Sequence, residues 1–92
     1  MEIRFYLDAA GHPHIHRHGV TEAEVTDVLE SALEDGAGAE GARVAIGRAQ
    51  AGRVLKVIYV PDPNGNGLFV ITAYQMTPKA LRALKRRLRK RS

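Results

Sequence analysis

Apolar and polar residues along the chain alternate in two distinct rhythms. From Ile3 to Leu7 the period is two, with Ile3, Phe5 and Leu7 on one side and Arg4 and Tyr6 on the other, which predicts a first strand. Asp8-Ala9-Ala10-Gly11 reads as a turn. The segment His12 to Gly19 contains Pro13, which disfavours a regular helix or a central strand and predicts an edge strand or extended loop. The rhythm then changes. Val25, Val28, Leu29, Ala32 and Leu33 form a helical stripe, introduced by Thr21 and Glu24 at capping-box spacing. Gly36 to Gly41 predicts a flexible loop that ends this helix.

Two strands are predicted next, Arg43 to Ala49 and Arg53 to Val60, joined by a short hairpin at Gln50-Ala51-Gly52. The second is apolar on both faces, as a central strand would be. A turn cluster from Pro61 to Gly67 leads into Leu68 to Tyr74, again apolar on both faces. Thr77 and Pro78 suit the N-cap and first position of a closing helix over about residues 78–90, with Leu81, Leu84 and Leu88 as its apolar seam. The expected fold is therefore a single α+β domain over residues 1–92. A small antiparallel sheet of about four strands would carry two packed helices. A homodimer is open to the chain if the leucine seam is not used within the monomer.

Charge sharpens this picture. The net charge of +4 conceals a segment, residues 77–92, with eight cations and no acid. The rest of the chain holds six bases and all ten acids, a net of −4. A dense basic helix is costly unless an anion offsets it, which points to nucleic-acid phosphate or an acidic protein, or else to a solvated tail. Lys79, Arg82, Arg86 and Arg89 are its candidate nucleic-acid contacts. With no cysteine, disulfides, thiolate zinc sites and cysteine nucleophiles are excluded. No apolar run approaches the roughly 20 residues of a membrane span, and no signal-peptide pattern opens the chain, so a cytoplasmic protein is expected.

Three groups of residues could carry chemistry. His12, His14, His16 and His18 recur at period two and would share one face of an extended backbone. Metal ligation, proton transfer and simple loop hydrogen bonding are all open to them. Arg48, Arg53 and Lys56 lie on or beside the predicted hairpin, and Tyr74 closes the last strand, so a sheet groove for a bound nucleic-acid backbone is conceivable beside the alternative of ordinary surface residues. Gly47 suggests a bulge or a close backbone approach. No phosphate-binding glycine loop or nucleophile elbow occurs, and the only serines are Ser31 and Ser92.

These phrases also carry a family resemblance. His14-Ile15-His16-Arg17-His18-Gly19-Val20-Thr21-Glu22 is followed by Val28-Leu29-Glu30 and by Ala45-Ile46-Gly47-Arg48 with Gly52-Arg53. Val57-Ile58-Tyr59 and Val70-Ile71-Thr72-Ala73-Tyr74 lead on to Thr77-Pro78-Lys79. In this order they resemble the BrnT-like toxins of the RelE-type superfamily, or an uncharacterised small-domain relative of them. The resemblance implies a RelE-like fold and the toxin of a type II toxin–antitoxin pair, a metal-independent RNA endonuclease without a cofactor, held by a small antitoxin protein. It implies Arg48 and Arg53 as phosphate contacts, His16 and His18 as proton carriers, and Lys79 as a further candidate. BrnT-like toxins end their last strand with an arginine, where this chain has Tyr74, which joins the catalytic candidates. The alternatives are a non-catalytic nucleic-acid-binding module and a protein-interaction subunit.

Overall fold

The two longest apolar runs pair with each other at the centre of a sheet. Strand β4 (Val54–Pro61) lies antiparallel to β5 (Gly67–Gln75) on one side and to β3 (Arg43–Arg48) on the other. The computed structural model, which describes residues 1–91, adds two edge strands. These are β1 (Glu2–Phe5) beside β5 and β2 (Glu34–Ala37) beside β3, giving the order β1-β5-β4-β3-β2. The fold is α+β with two helices, as expected. The sheet has five strands and is mixed, because β1 runs parallel to β5. Gly67 makes that parallel start possible, since a Cβ there would stand 2.5 Å from the Glu2 carbonyl oxygen.

Strand β2 occupies part of the predicted glycine loop, and its origin lies in how the first helix ends. Helix α1 (Glu22–Glu30) begins with the expected capping box. The Thr21 hydroxyl accepts from the Glu24 amide at 3.2 Å, and the Glu24 carboxylate accepts from the Thr21 amide at 3.1 Å. The helix does not reach Leu33. Its last turn holds no base to answer the carbonyl dipole. Instead the Leu33 amide donates to the Ile46 carbonyl at 2.7 Å, which starts the pairing of β2 with β3 and leaves Leu33 exposed.

The histidine segment also departs from expectation. His14–His18 is a turn of 3-10 helix rather than extended backbone, so its histidines do not all share one face. Burial of Ile15, which is 1% exposed, requires the turn to point inward. Gly19 closes it at φ 70°, a left-handed conformation open to glycine. The extended expectation survives only at Pro13, which bridges Leu7 in antiparallel fashion.

Two cores follow from the pleat, because successive strand residues point to opposite faces. Ala45, Leu55, Val57, Tyr59, Val70 and Ala73 pack with Val25 and Val28 of α1 and with Ile15 and Val20. Gly47 lets α1 approach closely, since a Cβ there would lie 3.3 Å from the Val28 side chain. On the other face, Val44, Ile46, Val54 and Met76 pack against Ala80, Leu81, Leu84 and Leu88 of α2 (Pro78–Arg91). Burying a leucine as fully as Leu84 stabilises by about 1.5–3 kcal/mol, and this residue anchors the helix. The leucine seam is thus applied to the protein's own sheet. Among the described residues, no helix is long and apolar enough to cross a membrane.

Candidate functional site

Helix α2 sorts its cations into two sets. Thr77 caps it, accepting from the Ala80 amide at 3.1 Å, and the leucines fix which side faces the sheet. Arg87 and Arg91 lie on the flank toward β2. There Glu34 accepts from Arg87 at 2.8 and 3.0 Å and pairs with Arg91 at 3.1 Å. Hydrogen bonding from Arg87 holds the Glu34 carboxyl below its ordinary pKa. At 100° per residue, Lys79, Arg82, Lys85, Arg86, Arg89 and Lys90 fall on the arc away from Leu84, and all are exposed. No acid interrupts that arc.

The strand register aligns a second feature on the same side of the sheet. Glu34, Ile46, Lys56 and Tyr74 are successive cross-strand partners on β2, β3, β4 and β5. Beyond Tyr74 the row reaches His18, whose ring centroid lies 6.1 Å away. From there a series of edge-to-face rings follows the border of β5. His18 meets His14 at 5.3 Å, His14 meets Tyr6 at 5.8 Å, and Tyr6 meets Phe69 at 6.5 Å.

His16 points elsewhere. The His16 Nε2 lies 2.6 Å from the Glu22 carboxylate at the start of α1, and that hydrogen bond holds the Glu22 carboxyl below its ordinary pKa.

The two candidate arginines are both engaged within the chain. Arg53 donates to Glu24 at 2.6 and 3.0 Å and to the Gly19 carbonyl at 2.8 Å. This clamp ties the start of β4 to α1 and to the turn that carries His16 and His18. The Arg53 guanidinium depresses the pKa of the Glu24 carboxyl. Arg48 donates to the Gly52 carbonyl across the hairpin at 2.7 Å. It borders an open depression of about 470 Å³, lined also by Asp27, Glu30, Ser31 and Gln50. None of the rings described above borders this depression, and its two carboxylates make it a poor receptor for phosphate.

The fold therefore brings Lys56, Tyr74 and His18 together and attaches Arg53 to their support. Arg48 and His16 open onto other surroundings. His14, one of the four candidate histidines, joins Tyr74 and His18, and Glu34, Tyr6 and Phe69 belong to this face without having stood out in sequence. The early stop of α1 places Glu34 at the start of β2, where it becomes an anchor for α2. Among the described residues, no group of three or more His, Asp or Glu is arranged to hold a metal ion. No family model, curated protein or solved structure matches the chain.

Proposed function

We propose that this chain acts on RNA, as the endoribonuclease toxin of a type II toxin–antitoxin pair. The uninterrupted arc of six exposed cations on α2 carries the reading, because phosphates are the ligands that offset such an arc. Lys56 extends the positive surface onto the sheet and lies across from Tyr74, whose ring meets that of His18. In this reading His18 takes the proton of a ribose 2′-hydroxyl. The 2′ oxygen attacks phosphorus, the bond to the 5′ oxygen breaks, and the Tyr74 hydroxyl protonates that leaving oxygen; water then carries the proton held by His18 back to Tyr74. Lys56 and the nearest α2 cations stabilise the charge that builds on the phosphoryl oxygens. A small antitoxin with an acidic segment would silence the protein by covering α2. A cytoplasmic site of action belongs to the same proposal.

The test is incubation of the purified protein with mixed-sequence RNA in EDTA. Wild type is expected to release fragments ending in a cyclic phosphate, and His18→Ala to be slower by roughly 10²–10⁴-fold. A second reading, RNA binding without cleavage, is favoured by the engagement of Arg53 with Glu24 and of Arg48 with Gly52. Tight binding by wild type with intact RNA in every reaction would select it.

A further inference from the structure

We infer that the part of the sheet face left uncovered by α2 is a stacking platform for the bases of single-stranded RNA. This rests on the RNA reading above and names the form of RNA that the face accepts. Helix α2 stands over β3 and the start of β4, where Ile46, Val54 and Met76 are buried beneath it. Further across the same face the covering thins. Lys56, Ile58, Phe69, Thr72 and Tyr74 are only partly buried. Val60 is 38% exposed and Tyr6 is 50% exposed.

This open strip has two unlike borders. On one side runs the ring series Phe69, Tyr6, His14, His18 and Tyr74. On the other stands the flank of α2 opposite Arg87 and Arg91. Because those arginines reach Glu34 on β2, the opposite flank, with Leu81, Lys85 and Leu88, is turned toward β4 and β5. Rings bordering an apolar floor, with Lys85 on the far wall and the cation arc of α2 beyond it, match the two halves of a nucleotide strand. The bases stack on the rings and the phosphates follow the lysines and arginines.

Charge and ring chemistry together choose the occupant. Cations alone would serve a duplex equally well, since its phosphates lie outside. A duplex, however, keeps its bases paired and stacked on one another, and its deep major groove admits no side chains. Tyr6 and Phe69 would then gain nothing from binding. A strand with unpaired bases uses both features, and its path along the strip brings its backbone past Lys56 to Tyr74 and His18.

The experiment uses the full chain and 2′-O-methyl RNA, which lacks the nucleophilic hydroxyl and stays intact. Affinities for a mixed-sequence single strand and for a duplex of equal length are measured by fluorescence anisotropy. Wild type is expected to prefer the single strand. Tyr6→Leu and Phe69→Leu keep an apolar side chain but remove the ring, and each is expected to weaken single-strand binding roughly fivefold to 150-fold while leaving duplex binding unchanged. Arg82→Gln is expected to weaken both. Direct quenching of tyrosine fluorescence by the bound single strand, diminished in Tyr6→Leu, gives a second readout independent of Phe69 packing. Equal binding of both RNAs, with no effect of either ring substitution, overturns the platform while the RNA reading stands, and leaves the strip as a surface for a protein. Failure of wild type to bind either RNA overturns both.

Discussion

Arg53 and Glu24 meet through two hydrogen bonds, of 2.6 and 3.0 Å, although 29 residues separate them in the chain. Glu24 is 8% exposed and also completes the capping box of α1, so one carboxylate serves a helix start and the arginine that immediately precedes β4. The same guanidinium holds the Gly19 carbonyl. Arg53 is thereby a support for the histidine turn, whatever RNA does.

This pair has a pH signature. The folded state lowers the Glu24 pKa from its ordinary value of 4.5, with the Arg53 hydrogen bond as the leading cause. A lowered carboxyl contributes stability that is present above the unfolded pKa and is lost as pH falls through the folded one. Arg53→Met should reduce thermal stability at neutral pH and flatten the loss below about pH 4.5. Calorimetry of both proteins from neutral pH to pH 3 checks this. Parallel curves would show that Glu24 does not depend on Arg53.

The attachment of α2 gives a second prediction. Leu84 is 1% exposed, whereas Leu81 and Leu88 are partly buried on either side of it. Leu84→Ala should cost about 2–5 kcal/mol, a large fraction of the stability of a small domain, and Leu88→Ala distinctly less. Urea unfolding measures both. Equal, small losses would mean that the helix is not seated on the sheet as described.

What could be read from the sequence was whatever depends on neighbours in the chain. Thr21 and Glu24 announce α1, Thr77 and Pro78 announce α2, and the double-sided apolar runs of β4 and β5 announce a sheet covered on both faces. Long-range competition decided the rest. The stripe through Ala32 and Leu33 continues a helical pattern, yet Leu33 donates to Ile46 and the chain becomes β2. Period two among the histidines suggested a strand, but burial of Ile15 winds them into a turn. The proximity of His18 to Tyr74 depends on a register between distant segments, which no local pattern encodes. Arg53 lies in the same position: its sequence neighbours say cation, and only the fold supplies Glu24.

The cation arc predicts a specific salt dependence. Each phosphate contact to a single strand contributes about 0.7 to the slope of log affinity against log salt. Replacing both Arg82 and Arg86 by Gln should therefore lower the magnitude of that slope by about 1.4 if each meets one phosphate. Titrations at several salt concentrations decide it. An unchanged slope would place the RNA away from this arc.

Glu34 offers the sharpest separation of structure from binding. It engages Arg87 through two hydrogen bonds and Arg91 through a third contact, so it both anchors the end of α2 and withdraws two cations from other anions. Glu34→Gln keeps the shape and removes the charge. Each arginine is substantially exposed, so the stability change should stay within about 1 kcal/mol. Hydrogen exchange at the C-terminal end of α2 should nevertheless quicken, because the anchor is weakened. RNA affinity at low salt should rise rather than fall, since Arg87 and Arg91 become available to phosphate. The two measurements are independent. Unchanged exchange would show that the Glu34 contacts are not maintained in solution. Faster exchange with weaker RNA binding would show that the anchored position of α2, rather than its total charge, governs binding.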